Sequence, residues 1–137
     1  MLNKRLKLDY EEITPCLKEV TTVWEKILMT RVTFLIEESR IIGFDAIGHS
    51  GWDEEGSDIV CAAITSAVRL VDATINTVMG LCASVKVHES DASIIFRLPG
   101  GLAPTAESTC QNLLTGLMVY LAELHDEYPD NIEVMEA

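Results

Sequence analysis

The chain has 137 residues, which is the length of one compact domain and leaves little room for a second. Hydrophobic residues make up 48% of it and charged residues 23%, a balance that argues against a disordered chain and allows a core without disulfides or metal. The net charge of −12 argues against direct nucleic-acid or membrane binding and favours a basic partner, although solubility alone would be served by the same charge.

Residues 1–12 read as a solvated lead-in. Thr14 and Pro15 then form an N-cap followed by proline at the first helical position. Leu17, Val20, Trp24 and Ile27 or Leu28 recur at helical spacing, so 15–28 is expected to be a short amphipathic helix. With Met29 directly after it, 1–28 is read as an N-terminal appendage and 29–137 as the main domain. Residues 31–36 (RVTFLI) predict a strand, Glu37, Glu38, Ser39 and Arg40 a polar turn, and 41–47 (IIGFDAI) an antiparallel partner. The stretch 48–56 holds three glycines and Trp52 and is read as a loop. Ser57 or Asp58 can cap a long helix running to about Met79 or Gly80.

Residues 83–88 and 93–98 predict two further strands around the turn Glu89, Ser90 and Asp91. Pro104 can open a second long helix with the apolar stripe Leu113, Leu114, Leu117, Leu121 and Leu124. His125, near the end of this helix, is expected to face solvent. Tyr128 and Pro129 end it, and 131–135 closes the chain as a strand. The order β-β-α-β-β-α-β implies an α+β two-layer sandwich, with two long helices on one face of a largely antiparallel sheet of about five strands. No repeat or low-complexity tract is visible. The basic start is interrupted by Asp9, Glu11 and Glu12, so no signal peptide is read, and no run approaches membrane-spanning length. Cys16, Cys61, Cys82 and Cys110 make no C-x-x-C pair. Reduced thiols and a cytoplasmic location are therefore expected. His49, Cys61, His88 and His125 have no metal-ligand spacing, and neither a metal nor a cofactor is expected.

The first long helix carries the chemistry. At 100° per residue from Asp58, the residues Val60, Ile64, Ala67, Val71, Ile75 and Val78 gather between about 180° and 260°, as a core stripe. Asp58, Cys61, Thr65 and Asp72 fall outside that arc and share the opposite face, so Cys61 is expected off the buried stripe. It is also expected in the first helical turn, where unpaired N–H groups and the positive end of the dipole favour a thiolate. The same groups can stabilise an oxyanion, a donor whose loss typically costs about 3–4 kcal/mol. His49, twelve residues earlier, can be folded back by the glycine-rich loop to act as a base. The bland alternatives are a packing cysteine, a loop histidine, an N-cap aspartate at Asp58, and a tryptophan at Trp52 that only covers core.

Gly48-His49-Ser50-Gly51, followed by Gly56-Ser57-Asp58-Ile59-Val60-Cys61-Ala62-Ala63, resembles the bacterial ribosomal-processing cysteine protease (Prp) family, whose pattern is G-H-[AS]-G, a short loop, then G-x-D-I-V-C-A-A. The resemblance covers about 29–137 and matches in both content and His-to-Cys spacing. It implies a cytoplasmic, homodimeric endopeptidase that removes an N-terminal extension from the twenty-seventh large-subunit ribosomal protein, a basic substrate. It implies Cys61 as nucleophile, His49 as base, and a mobile substrate loop that includes Gly48, Ser50, Gly51, Trp52, Gly56 and Ser57. Asp58 matches the motif aspartate. Thr65 stands where the family usually has serine, which keeps the hydroxyl and adds a methyl. Residues 1–28 lie outside the pattern. Two rivals remain at this stage: a non-catalytic acidic module that escorts a ribosomal protein or assembly intermediate, and another kind of thiol enzyme.

Overall fold

The computed structural model describes residues 30–48, 54–88 and 93–137. The expected helix at 15–28, the turn at Glu89, Ser90 and Asp91, and Cys16 lie outside the described residues. The described chain runs β1 (Thr30–Glu37), β2 (Arg40–Ile47), α1 (Glu54–Asp72) with a π-helical turn at Ala73–Val78, β3 (Ser84–His88), β4 (Ser93–Arg97), α2 (Pro104–Glu127) and β5 (Ile132–Glu136). The five strands form one sheet in the order β3-β4-β2-β1-β5. Three pairings are antiparallel, and β5 lies parallel to β1, so the sheet is mixed.

Local chemistry explains the elements. Glu38 and Ser39 adopt φ of 50° and 65°, the left-handed pair that a two-residue hairpin turn needs to match strand twist. Along β1 and β2 apolar residues alternate with polar ones, and Val32, Phe34, Phe44 and Ala46 are buried. Phe34, Phe44 and Phe96 stand side by side across three strands, with ring centroids 5.7 and 5.2 Å apart, and form the floor of the core. The register slips between Leu35 and Ile36, which leaves Ile42 as the extra residue of a bulge. Gly43 follows it with β4 so close that a Cβ there would run into the carbonyl oxygen of Phe96. Directly before the bulge, Gln111 of α2 brackets Ile41, accepting from its N–H at 2.8 Å and donating to its carbonyl at 2.9 Å. Arg40 reaches Glu107 at 2.7 Å and donates to the Pro99 carbonyl at 2.7 Å, tying the same hairpin to the start of α2. On α2 the stripe Cys110, Leu114, Leu117, Leu121 and Leu124 is buried, as period 3.6 predicts, and Leu113 packs at its margin.

Three expectations need correction. The first helix starts at Glu54, not at Ser57 or Asp58, since Glu54 and Glu55 have good helix propensity and carry the helix back past the glycine. Val78, placed on the core stripe, is 79% exposed, because the π turn from Ala73 takes more residues per revolution and rotates it out while Ile75 stays buried. The third concerns membrane-spanning length: Ile59–Val78 is long and apolar enough by composition to cross a membrane. Its apolar residues Val60, Ile64, Val68, Val71 and Ile75 are buried in the core, which accounts for that composition.

Candidate active site

Strand register brings several chain segments to one end of the sheet, and the segment that leads to His49 leaves from there. Arg31 pairs with Ile47, Ala46 with Ile94, His88 with Ser93, and Thr30 with Ile132. The start of β1, the end of β2, the end of β3, the start of β4 and the start of β5 therefore share an end. Gly48 closes β2 there with φ of 86°, a backbone reversal that glycine adopts without penalty. His49, Ser50, Gly51 and Trp52 lie outside the described residues. Gly56, Ser57 and Asp58 have helical backbones in α1.

The extended helix changes the chemistry expected of Cys61. Cys61 is the eighth residue of α1 and not part of its first turn. Its N–H belongs to the helical ladder and is no orphan donor for an oxyanion. The dipole's influence also fades within the first turn, so it gives the sulfur little support. Asp58, as the fifth residue of α1, does not cap it.

Burial is the second correction. The helical phase puts Cys61 off the buried stripe, yet it is 7% exposed; Thr65 and Asp72 on the same flank are 7% and 1% exposed. The exposed arc of α1 is narrow and runs through Ile59, Ala62, Ser66, Arg69 and Leu70. A helix that packs on a sheet and beside α2 is covered on two sides, so its buried arc extends well past the aliphatic stripe. A thiolate this deeply covered needs a cation beside it.

Asp72 belongs to a polar knot that the hydrophobic pattern does not signal. Asn76 Nδ2 donates to Asp72 Oδ1 at 2.5 Å and to the Ala83 carbonyl at 3.2 Å, while Asn76 Oδ1 accepts from the Ala83 N–H at 2.6 Å. This knot fastens the π turn to the approach of β3. Thr30, one step beyond Arg31 and so level with Gly48, has a buried hydroxyl with no hydrogen-bond partner among the described residues.

The other thiols differ in setting. Cys110 is fully buried in α2, and burial pushes its thiol pKa up. Cys82 is exposed, with φ of 57°. His125, expected to face solvent, is instead half-buried, with Nδ1 2.6 Å from the Ile132 carbonyl, because α2 ends against the start of β5. Among the described residues no group of His, Cys, Asp and Glu could hold a metal.

Comparison with known proteins adds the following. The family model for cysteine protease Prp matches residues 29–133. The ribosomal processing cysteine protease Prp of Bacillus subtilis (strain 168) is 30% identical over 94 residues, which cover 69% of this chain and 84% of that protein. A Streptococcus mutans structure superposes with a TM-score of 0.70 at 19% identity, covering 81% of this chain and 96% of the other. The ribosomal processing protease Prp of Staphylococcus aureus with a substrate peptide gives a TM-score of 0.67 at 19% identity, covering 80% and 100%. At such identities these two structures show the fold. A short similarity of another kind is also present: 30 residues are 93% identical to TBC1 domain family member 1 of Bos taurus and 90% identical to its Homo sapiens counterpart. It covers 22% of this chain, and the chain spans about 3% of the length of those relatives.

Proposed function

Since this chain belongs to the ribosomal processing cysteine protease (Prp) family and is a cysteine protease, we propose that its nucleophile is Cys61 and its general base His49. The observation that carries this reading is the sequence pair G-H-S-G and G-S-D-I-V-C-A-A, separated as the family requires, within the stretch that the family model matches. His49 takes the thiol proton, the Cys61 sulfur attacks the scissile carbonyl, and the proton passes to the leaving amine. Water then hydrolyses the thioester. Because the Cys61 amide is engaged in α1, the oxyanion donors come from elsewhere. Activation of the buried sulfur then falls to the imidazolium. Gly48, Ser50, Gly51, Trp52, Gly56 and Ser57 take the substrate-loop role, and Asp58 and Thr65 support the nucleophile's turn of helix.

The substrate of this reading is the N-terminal extension of the twenty-seventh large-subunit ribosomal protein, cut in the cytoplasm by a homodimer. The solved Staphylococcus aureus relatives hold a substrate peptide and a covalently linked product peptide, which supports a peptide substrate here. The charge of −12 suits a basic ribosomal protein and speeds encounter. Residues 1–28 form an appendage outside the catalytic domain 29–137. The test is incubation of the purified chain with the extended ribosomal protein. A shorter product that Cys61→Ala fails to make, formed more slowly as salt rises, is the expected result. Binding without cleavage by either protein would replace this reading with the escort module.

A further inference from the structure

In a parallel pairing, successive residues turn their peptide groups to opposite sides of the strand. On β5 the Asn131 carbonyl accepts from the Thr30 N–H at 3.0 Å. The Ala137 N–H donates to the Phe34 carbonyl at 2.9 Å, and the Ala137 carbonyl accepts from Ile36 at 3.0 Å. The odd-numbered positions therefore face β1, and Ile132, Val134 and Glu136 face away from it. His125 agrees with this phase, since its imidazole reaches the outward Ile132 carbonyl at 2.6 Å. β5 ends the strand order, so among the described residues no strand lies beyond the outward peptide groups of Val134 and Glu136.

The sheet's other end is β3, and charge separates the two edges. Residues 98–137 contain seven Asp and Glu and no Lys or Arg. Glu107 is engaged by Arg40 and Glu133 by Arg31, whereas Glu123, Asp126, Glu127, Asp130 and Glu136 are exposed around the end of α2 and along β5. Acids in the last turn of a helix oppose its dipole, so helix stability does not explain them. β3 instead exposes Lys86 and His88 and carries no acid. A second copy pairing β5 against β5 would bring like charges together. An extended basic peptide meets no such penalty and can pair with the outward N–H and C=O groups of β5. The start of β5 shares the sheet end with Gly48 and lies two strands from β2, about 10 Å at ordinary strand spacing.

We propose that the outer edge of β5 binds an extended, basic segment of the substrate as a sixth strand. This rests on the protease reading and names the surface by which the substrate is held. The experiment uses Cys61→Ala and a synthetic peptide carrying the extension with the basic residues that follow it. Amide hydrogen exchange at Val134 and Glu136 should slow by about tenfold or more on adding peptide, a protection equivalent to about 1.4 kcal/mol. The amides of β3 should not change. Val134→Pro removes an outward N–H without touching the ladder to β1, and should weaken the peptide's Kd by about tenfold. Glu136→Lys, at an exposed position, should weaken it too and flatten its salt dependence, and it decides the matter if Val134→Pro fails to fold. Unchanged exchange at Val134 and Glu136, protection at β3 instead, or protection of β5 by rising protein concentration alone would each overturn the proposal. Cleavage of the same peptide by the unsubstituted chain with β5 unprotected refutes the edge and leaves the protease standing; β5 protection with no cleavage refutes the protease reading.

Discussion

Gly43→Ala should damage this protein far more than a single methyl ordinarily does. The added Cβ would overlap the Phe96 carbonyl oxygen and stand 3.1 Å from the Phe96 carbonyl carbon and 3.2 Å from the Arg97 Cα. All three are backbone atoms, so no rotamer change relieves the clash, and β4 must move away from β2. That movement strains the bond from the Leu98 N–H to the Ile42 carbonyl (2.8 Å), the Arg97–Asp45 ion pair (2.7 Å) and the Phe44–Phe96 stack. Overpacking of this kind costs about 1–3 kcal/mol, and one or two weakened hydrogen bonds add about 0.5–1.5 kcal/mol each. A total of about 1.5–6 kcal/mol is a large share of the roughly 5–15 kcal/mol typical of a domain. It should lower the midpoint of a thermal melt by about 4 °C for each kcal/mol lost. Urea denaturation followed by circular dichroism measures it, with Gly100→Ala as control, since among the described residues no heavy atom beyond its chain neighbours lies within 4 Å of a Cβ there. Because β2 carries Gly48 at its end, proteolysis should fall with the fold. A Gly43→Ala protein within about 0.5 kcal/mol of the parent would show that β4 does not press on the bulge, and would refute the reasoning.

Two further outcomes follow from the thiols. Burial raises the Cys110 pKa, so the folded state keeps a proton that the unfolded chain loses above roughly pH 8.5. Its contribution to stability is complete below that pH and is lost as pH climbs towards the folded value, with a slope of at most about 1.4 kcal/mol per unit. Urea melts from pH 7 to 10 should show the decline, and Cys110→Ala should remove it; an identical slope in both proteins would refute the assignment. Near neutral pH, iodoacetamide should label Cys61 faster than Cys82 even though Cys82 is the exposed one, and His49→Ala should abolish that preference. Faster labelling of Cys82 in the unsubstituted chain would mean that Cys61 is not activated.

The elements with strong local signals are legible in the sequence. Glu38 and Ser39 between two β-rich runs predict the hairpin, and the leucine stripe of α2 predicts its buried face. What is not legible depends on neighbours. Cys61, Thr65 and Asp72 read as an outer flank because none is strongly hydrophobic, and only packing against both a sheet and a second helix covers them. The start of α1 is misleading because glycine, serine and aspartate are good capping residues, yet the preceding glutamates continue the helix. Val78 turns outward because a π turn has no simple sequence signature. Asn76, which bonds both Asp72 and the Ala83 backbone, is an ordinary polar residue until the chain folds back on it. The spacing of His49 and Cys61 is plain in the sequence, whereas the engagement of the Cys61 amide within α1 needs coordinates.

The partnership of β1 with β5 sets the pace of assembly. It joins positions roughly a hundred residues apart, so the loop that closes it is the most entropically demanding in the domain and slows the folding rate. Until β5 arrives, β1 offers a bare margin of Val32, Phe34 and Ile36 to any other nascent chain. A host making this protein in quantity therefore has its greatest aggregation hazard early, before the parallel strand has docked.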